Sequence, residues 1–187
     1  NNVAGKSRTR FSVVRYGNVV NSRGSVAPLF RRLAREGAAH LPITDERMTR
    51  FWITLRQGVD FVLKSFDRMQ GGEIFVPKIP SIRITDLARA MAPDTLLKTV
   101  GIRPGEKLHE VMCPSDDSHL TVEFDDHYVI RPAITFFSRD NSYDTNALNE
   151  KGRAVEQGFE YNSGDNPEFL TVEQIRELDE HCGAGEA

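Results

Sequence analysis

The sequence predicts an α/β fold, and three observations carry the prediction. Short β-branched and aromatic runs alternate along the chain with stretches of helical periodicity. The first run, Phe-Ser-Val-Val-Arg-Tyr at 11–16, has the apolar character of a strand buried in a parallel sheet. Hydrophobic residues make up 39% of the 187 and charged residues 27%, enough apolar material for a core without the bias of a disordered chain. At roughly 100–200 residues per domain, this length is one domain or a little more. A doubly wound sheet needs several central strands, and only the run at 11–16 reads as strongly buried. The chain therefore reads as the second half of a larger fold.

The elements follow in order. After the turn Asn21-Ser-Arg-Gly24, Ser25 is placed to cap a helix and Pro28 falls in its first turn, where a missing N–H costs little. Val26, Leu29, Phe30 and Leu33 repeat at helical spacing up to Gly37, a natural stop. Residues 40–43 and 48–53 read as extended. Thr54-x-x-Gln57 is a capping-box pattern for a second helix, with Leu55, Val59, Val62 and Phe66 as its buried stripe and Gly71-Gly72 as its end. Strands are expected at 73–76 and 82–84. Thr85 is placed to cap a short helix through Met91, 97–100 is extended, and 106–112 is expected to be helical. Strands at 120–124 and 128–131 flank Asp125-Asp126. Residues 138–166 are polar and poor in apolar anchors, like a mobile arm. Thr171-x-x-Gln174 then opens a last helix carrying Ile175 and Leu178.

Composition excludes several classes of function. Lys and Arg number 24 against 27 Asp and Glu, a net charge of −3, whereas a general nucleic-acid binder shows a basic excess. No apolar run approaches the ~20 residues of a membrane helix. The first residues lack the apolar stretch of a signal peptide, and without an initiator Met the natural N-terminus is expected to lie upstream. Two cysteines, Cys113 and Cys182, cannot build a disulfide framework, so a reducing, cytoplasmic setting fits. Cys113, placed at a helix end beside Pro114, and Cys182 both read as structural. Five histidines show no metal-ligand spacing, and no metal site is expected. Neither a G-x-G-x-x-G turn nor a G-x-S-x-G elbow is present.

Three segments carry polar groups where ligands bind. Asn18, in Arg-Tyr-Gly-Asn-Val, falls just past the carboxyl end of the first strand, where open α/β sheets bind ligands. Its amide could donate to a phosphate or sugar carbonyl, or the segment is only a turn with Gly17 supplying an unusual φ. Arg50, in Met-Thr-Arg-Phe-Trp, suits a bidentate phosphate contact, or is a surface Arg stacked on Trp52. In Gly101-Ile-Arg-Pro-Gly-Glu-Lys-Leu-His-Glu110, Arg103 and Glu106 flank a stiff Pro-Gly turn. A cation for phosphate and a carboxylate for ribose hydroxyls would suit a nucleotide, and a surface salt bridge worth about 0–1 kcal/mol is the alternative.

Read together, Arg-Tyr-Gly-Asn-Val, Ser-Arg-Gly-Ser-Val, Pro-Ile-Thr-Asp-Glu-Arg-Met-Thr-Arg-Phe-Trp-Ile-Thr, Phe-Val-Pro-Lys-Ile-Pro-Ser and the 101–110 segment closely resemble the C-terminal half of inverting UDP-N-acetylglucosamine 4,6-dehydratases. These are extended short-chain dehydrogenase/reductases acting first in pseudaminic acid synthesis. The resemblance implies the end of a Rossmann sheet plus a smaller substrate-binding subdomain. Residues 1–24 would close the nucleotide-binding domain, 25–137 would form the substrate-binding region, and 138–187 the polar arm and final helix. It further implies that Asn18 contacts the substrate diphosphate region and that Arg50 and Arg103 neutralise the phosphates. Glu106 would hold the ribose hydroxyls, and Thr44 would lie along the uridine pocket. Tyr16 and Gly17 would approach the nicotinamide of NADP.

Family enzymes oxidise the sugar at C4, eliminate water across C5 and C6 and return the hydride to C6, inverting C5. UDP-N-acetylglucosamine would be the substrate, and a homo-oligomer the full-length form. The family's glycine-rich turn, its Thr-Asp-Lys trio and its catalytic Tyr-x-x-x-Lys pair are not in these residues. The fourth residue after Tyr16, Tyr128, Tyr143 and Tyr161 is Val, Pro, Ala and Asp. No catalytic residue is therefore assigned to this chain. Asn21 stands where the family usually has Gly, which would stiffen or shift that turn. A retaining dehydratase, a 4-epimerase, or a stand-alone nucleotide-sugar-binding module without catalysis remain the alternatives.

Overall fold

The computed structural model describes residues 9–22, 24–134 and 142–183. Its elements in chain order are β1 (Val13–Val14), β2 (Asn18–Val19), α1 (Val26–Arg35), β3 (His40–Ile43), β4 (Thr49–Ile53), α2 (Leu55–Arg68), β5 (Ile74–Pro77), β6 (Ser81–Arg83), α3 (Ile84–Met91), β7 (Leu96–Thr99), β8 (Val111–Cys113), a 3-10 turn at Ser115–Leu120, β9 (Thr121–Glu123), β10 (His127–Ile130), β11 (Arg153–Ala154), β12 (Tyr161–Asn162) and α4 (Val172–Gly183). This is the α/β class the alternation predicts. The residues gather into two compact units, each built from separated segments. One takes 1–16, 56–78 and 111–161, and the other 17–55, 79–110 and 162–187.

The first unit is a five-stranded sheet in the order β1-β5-β10-β9-β11. β1 pairs parallel with β5, Val13 opposite Ile74, as the apolar opening run implies. It is shorter and more exposed than expected, however. Phe11, Val13 and Tyr16 lie about half exposed in this chain. The remaining ladders are antiparallel, with β10 between β5 and β9. Phe61 of α2 joins Phe75, Val122, Phe124 and Val129 in this unit's core.

The buried face of α2 differs from the expected stripe. Gly58, Phe61, Ser65 and Arg68 are covered, whereas Leu55, Val59 and Phe66 are exposed and Val62 is only partly covered. Periodicity is satisfied by both faces, and the sheet selects the one whose Arg68 finds carboxylates. Arg68 is 6% exposed and forms ion pairs with Glu150 at 2.8 Å and Asp126 at 3.1 Å. That pairing also overturns the mobile arm for the part of 138–166 that is described; 135–141 lie outside the described residues. Tyr143 Oη donates to the Gly71 carbonyl at 2.8 Å, and β11 adds to β9. Polar side chains fix this stretch by satisfying backbone groups, so low apolar content did not mean disorder.

The second unit holds the sheet β2-β4-β6 and the parallel pair β3-β7. Phe30, Leu41, Ile43, Trp52, Ile82, Leu87 and Ile175 form its core. Asn166 belongs to it too, its amide donating to the Ile79 carbonyl at 2.9 Å and the Ser81 hydroxyl at 3.0 Å. α1 begins after Ser25, but the Ser25 hydroxyl makes no capping bond. It ends as expected, with Gly37 at φ +70° and the Ala38 N–H returning to the Leu33 carbonyl at 3.0 Å. α3 starts two residues earlier than Thr85 as its cap would set, with Arg83 at the N-cap and the Ile84 N–H taken by the Met48 carbonyl at 3.0 Å. The capping box of α4 is reciprocal: Thr171 N–H donates to Gln174 Oε1 at 2.8 Å and Gln174 N–H to Thr171 Oγ1 at 3.3 Å.

Gly17 is required by proximity, and φ plays no part, since its φ is not positive. A Cβ there would fall 2.5 Å from Phe51 Cβ and 2.8 Å from the Phe51 carbonyl oxygen. Phe51 sits in the middle strand of its sheet and cannot retreat. Gly17→Ala is therefore expected to destabilise the protein by about 1–3 kcal/mol, the usual cost of overpacking. A thermal melt unchanged from the parent would refute the tight approach. Asn21, by contrast, adopts φ +59°, a conformation that Asn tolerates, and its side-chain oxygen accepts from Arg31. The turn there keeps a left-handed residue without glycine.

Candidate functional site

In the second unit, Thr44, Arg103 and Glu106 converge on one cavity of about 630 Å³, within the size range of small-molecule sites. Thr44 follows β3, and the other two lie on the loop after β7. That loop was expected to turn helical at 106, and it does not. Gly105 at φ +83° reverses the chain, and the Glu106 carboxylate turns back to accept the Arg103 backbone N–H at 3.3 Å. Its other oxygen accepts from Thr44 Oγ1 at 3.3 Å. Residues 107 and 108 then aim their carbonyls at Arg50 instead of along a helix axis. Their acceptors are thus spent on a guanidinium, and the chain proceeds into β8. Cys113 consequently sits on a strand, not a helix end, where burial pushes its thiol up to about 12. It is inert as a nucleophile.

Among the described residues, Arg103 and Glu106 make no side-chain ion pair with each other. The loop is closed through the backbone, which leaves the Arg103 guanidinium exposed at the cavity. The opposite wall is the N-terminus of α1, with Gly24, Ser25 and Val26 in the lining. The free N–H groups of a helix's first turn and its dipole favour an anion. Ser25 Oγ is buried without a partner there, and it adds a donor that sequence reading took only for a cap. The arrangement offers the Arg103 and Arg32 guanidiniums and the helix N-terminus for phosphate, a carboxylate for hydroxyls and a threonine beside it.

Asn18 and Arg50 lie elsewhere in the same unit and meet at Glu110. Arg50 NH groups donate to the carbonyls of Thr49 at 2.6 Å, Leu108 at 3.1 Å and Lys107 at 3.0 Å. Its Nε stands 3.7 Å from a Glu110 oxygen, and its side chain is 15% exposed. In this geometry Arg50 braces the loop that carries Arg103 and Glu106. Asn18, on β2 beside Trp52 of β4, turns its amide nitrogen to both Glu110 oxygens at 3.1 and 3.0 Å. The reverse orientation would set oxygen against oxygen, so the network assigns the amide. Burial raises the Glu110 carboxyl above its ordinary range, opposed chiefly by Arg50.

Tyr16 belongs to the first unit and is 44% exposed, while Gly17 lies against Phe51. No group of His, Cys, Asp or Glu among the described residues is arranged to hold a metal ion. No helix among them is long and apolar enough to cross a membrane. Glu110 is the residue sequence reading missed. It closed the 101–110 segment without a role, since a lone Glu carries no signal until its partners from β2 and β4 are adjacent.

The fold and this cavity define an α/β protein with a pocket beside the end of β3, lined by Thr44, Arg103, Glu106 and the start of α1. The chain belongs to the polysaccharide biosynthesis protein family, whose model matches residues 1–132. It is 59% identical, over 97% of its length, to the UDP-N-acetylglucosamine 4,6-dehydratase (inverting) of Campylobacter jejuni serotype O:2, covering 54% of that protein. The enzyme of the same description from serotype O:23/36 is 55% identical over the same shares. The UDP-glucose 4-epimerase of Rickettsia canadensis is 35% identical over 92% of this chain and 50% of its own. The X-ray structure of Pen from Bacillus thuringiensis aligns with a TM-score of 0.75 and 30% identity, over 96% of this chain and 51% of that one. The chain spans about half the length of the curated relatives it matches.

Proposed function

We propose that this chain is the UDP-sugar-binding half of an NADP-dependent UDP-N-acetylglucosamine 4,6-dehydratase that inverts C5, an extended short-chain dehydrogenase/reductase of nucleotide-sugar biosynthesis leading to pseudaminic acid. The convergence of Arg103, Glu106 and Thr44 on the cavity facing the α1 N-terminus carries the reading. The 59% identity to a dehydratase of that specificity supports it over the 35% identity to an epimerase. Arg103 and the helix N-terminus would take the diphosphate, Glu106 the ribose hydroxyls, and Thr44 the uridine edge. Arg50 would serve the phosphates through the loop it braces, and Asn18 would contact the diphosphate region of the substrate. Tyr16 and Gly17 would face the nicotinamide. The full-length enzyme would be a cytoplasmic homo-oligomer without nucleic-acid or membrane partners.

When bound, NADP supplies a hydride acceptor for C4, and a C4 ketone makes the C5 proton acidic enough for water to leave. The residues described offer no glycine-rich turn for dinucleotide phosphates, and Gly17 packs on Phe51 with no space beside its Cα. The part of this chain in the reaction is to grip the nucleotide and hold the sugar in place, which confers rate through positioning.

The test is turnover of UDP-N-acetylglucosamine, followed by proton NMR of the product. The full-length protein is expected to give a 4-keto-6-deoxy sugar with C5 inverted, and the 187-residue chain alone none. Retention at C5, or a 4-epimer, would replace the reading by one of the related activities. A 4-keto-6-deoxy product from the chain alone would refute the division of labour.

A further inference from the structure

We infer that Glu110 is a positioning residue that acts on the ligand through Asn18. The inference rests on the reading of Asn18 as a substrate contact and adds the residue that sets its orientation. Asn18 is exposed on its strand, so an unrestrained amide there would rotate about its last torsion and present either oxygen or nitrogen outward. Glu110 removes that freedom. Both of its oxygens accept from the Asn18 amide nitrogen, at 3.1 and 3.0 Å, and one also faces the Phe51 N–H at 3.4 Å. The amide is thereby fixed with its nitrogen toward Glu110.

Glu110 is itself held from both ends. Its backbone N–H donates to Ser163 Oγ at 2.9 Å, and its carbonyl accepts the Ser163 N–H at 2.8 Å. Ser163 is fully buried, and its hydroxyl meets Thr49 Oγ1 at 2.7 Å, which in turn meets His109 Nδ1 at 2.8 Å. Arg50, 3.7 Å from the carboxylate, balances its charge. An anion beside a diphosphate would repel it, and the adjacent guanidinium removes that objection. The result is a carboxylate fixed in place behind an exposed amide, an arrangement suited to pre-setting a polar ligand contact.

The test compares Glu110→Gln, Asn18→Ala and the double variant in the full-length protein, by titration calorimetry with uridine diphosphate. Each single change is expected to weaken binding about tenfold, and the double variant no further, because both remove the same oriented amide. Losses that multiply in the double variant would mean that Glu110 is merely structural, and a Glu110→Gln variant that binds like the parent would also overturn the role. A parent that fails to bind uridine diphosphate refutes the substrate reading instead.

A second measurement needs no ligand and no variant that must fold. The side-chain amide resonance of Asn18, seen by isotope labelling of asparagine in the parent, is expected to shift as pH falls and Glu110 takes a proton. Arg50 and Lys107 are the charged groups facing that carboxylate. An Asn18 amide indifferent to pH would overturn the proposal.

Discussion

Arg103→Ala in the full-length protein is expected to weaken uridine diphosphate binding ten- to a hundred-fold, about 1.5–3 kcal/mol. The loop is closed through the Arg103 backbone N–H and the Glu106 carboxylate, so removing the side chain leaves the loop intact. What is lost is a charge-assisted contact to an anion, without loss of fold. Arg103→Lys should recover only part of the affinity, since an ammonium cannot grip two oxygens in one plane. Calorimetry with both variants, beside a melting curve, reads the two effects separately. If Arg103 served only the surface, affinity would hold and stability would change by under about 1 kcal/mol. Equal affinity in both variants and parent would remove Arg103 from the site.

Arg68→Ala is expected to cost about 2–3 kcal/mol of stability. Loss of one partner from a fully buried ion pair costs about 3–5 kcal/mol. Asp126 and Glu150 are 46% and 41% exposed here, so water re-solvates them in part and the expected cost is lower. The same cluster makes stability depend on pH. His127 is fully buried, and burial, only partly opposed by Asp126, holds it below its ordinary 6.5. Hydrogen bonding to Arg68 holds Glu150 below its ordinary 4.5. Burial alone would raise Asp126, but hydrogen bonds from His127 and Arg68 outweigh it and keep it below 3.8.

Every one of these folded-state values is depressed, so the unfolded chain binds more protons and stability falls as pH falls. The His127 contribution is complete above pH 6.5 and drains below it; the two carboxylates add their loss below about 4.5. Urea midpoints at neutral pH, at about 5.5 and at about 4 check the sign for parent and variant. In Arg68→Ala the loss in the acid range should shrink, because the depressed carboxylates lose their cation. Parallel curves for parent and variant would contradict this account.

Sequence alone reached those features whose cause is local. The α4 capping box is legible in Thr171 and Gln174, because both partners lie within one turn. The end of α1 is legible in Gly37, because a left-handed residue is needed where the helix stops. The β9 and β10 pair is legible around Asp125-Asp126 for the same reason. Arg103 and Glu106 were legible as a cation and a carboxylate flanking a Pro-Gly turn, Thr44 only through the motif resemblance, and the structure brings those three to one cavity.

What the tertiary structure alone decided is which partner each ambiguous group takes. α2 carries two apolar faces, and its sheet covered the one with Phe61 because Arg68 there meets Glu150 from 82 residues away. Residues 106–110 had helical character, yet Arg50 on β4 took the carbonyls a helix would have used. Residues 142–166 had too few apolar side chains to promise order, and were fixed by hydrogen bonds to distant backbone instead. Glu110 gains meaning only beside Asn18 and Arg50. Periodicity and turn chemistry act over a few residues, whereas hydrogen bonds and ion pairs choose among donors and acceptors that only folding brings within 3 Å or so.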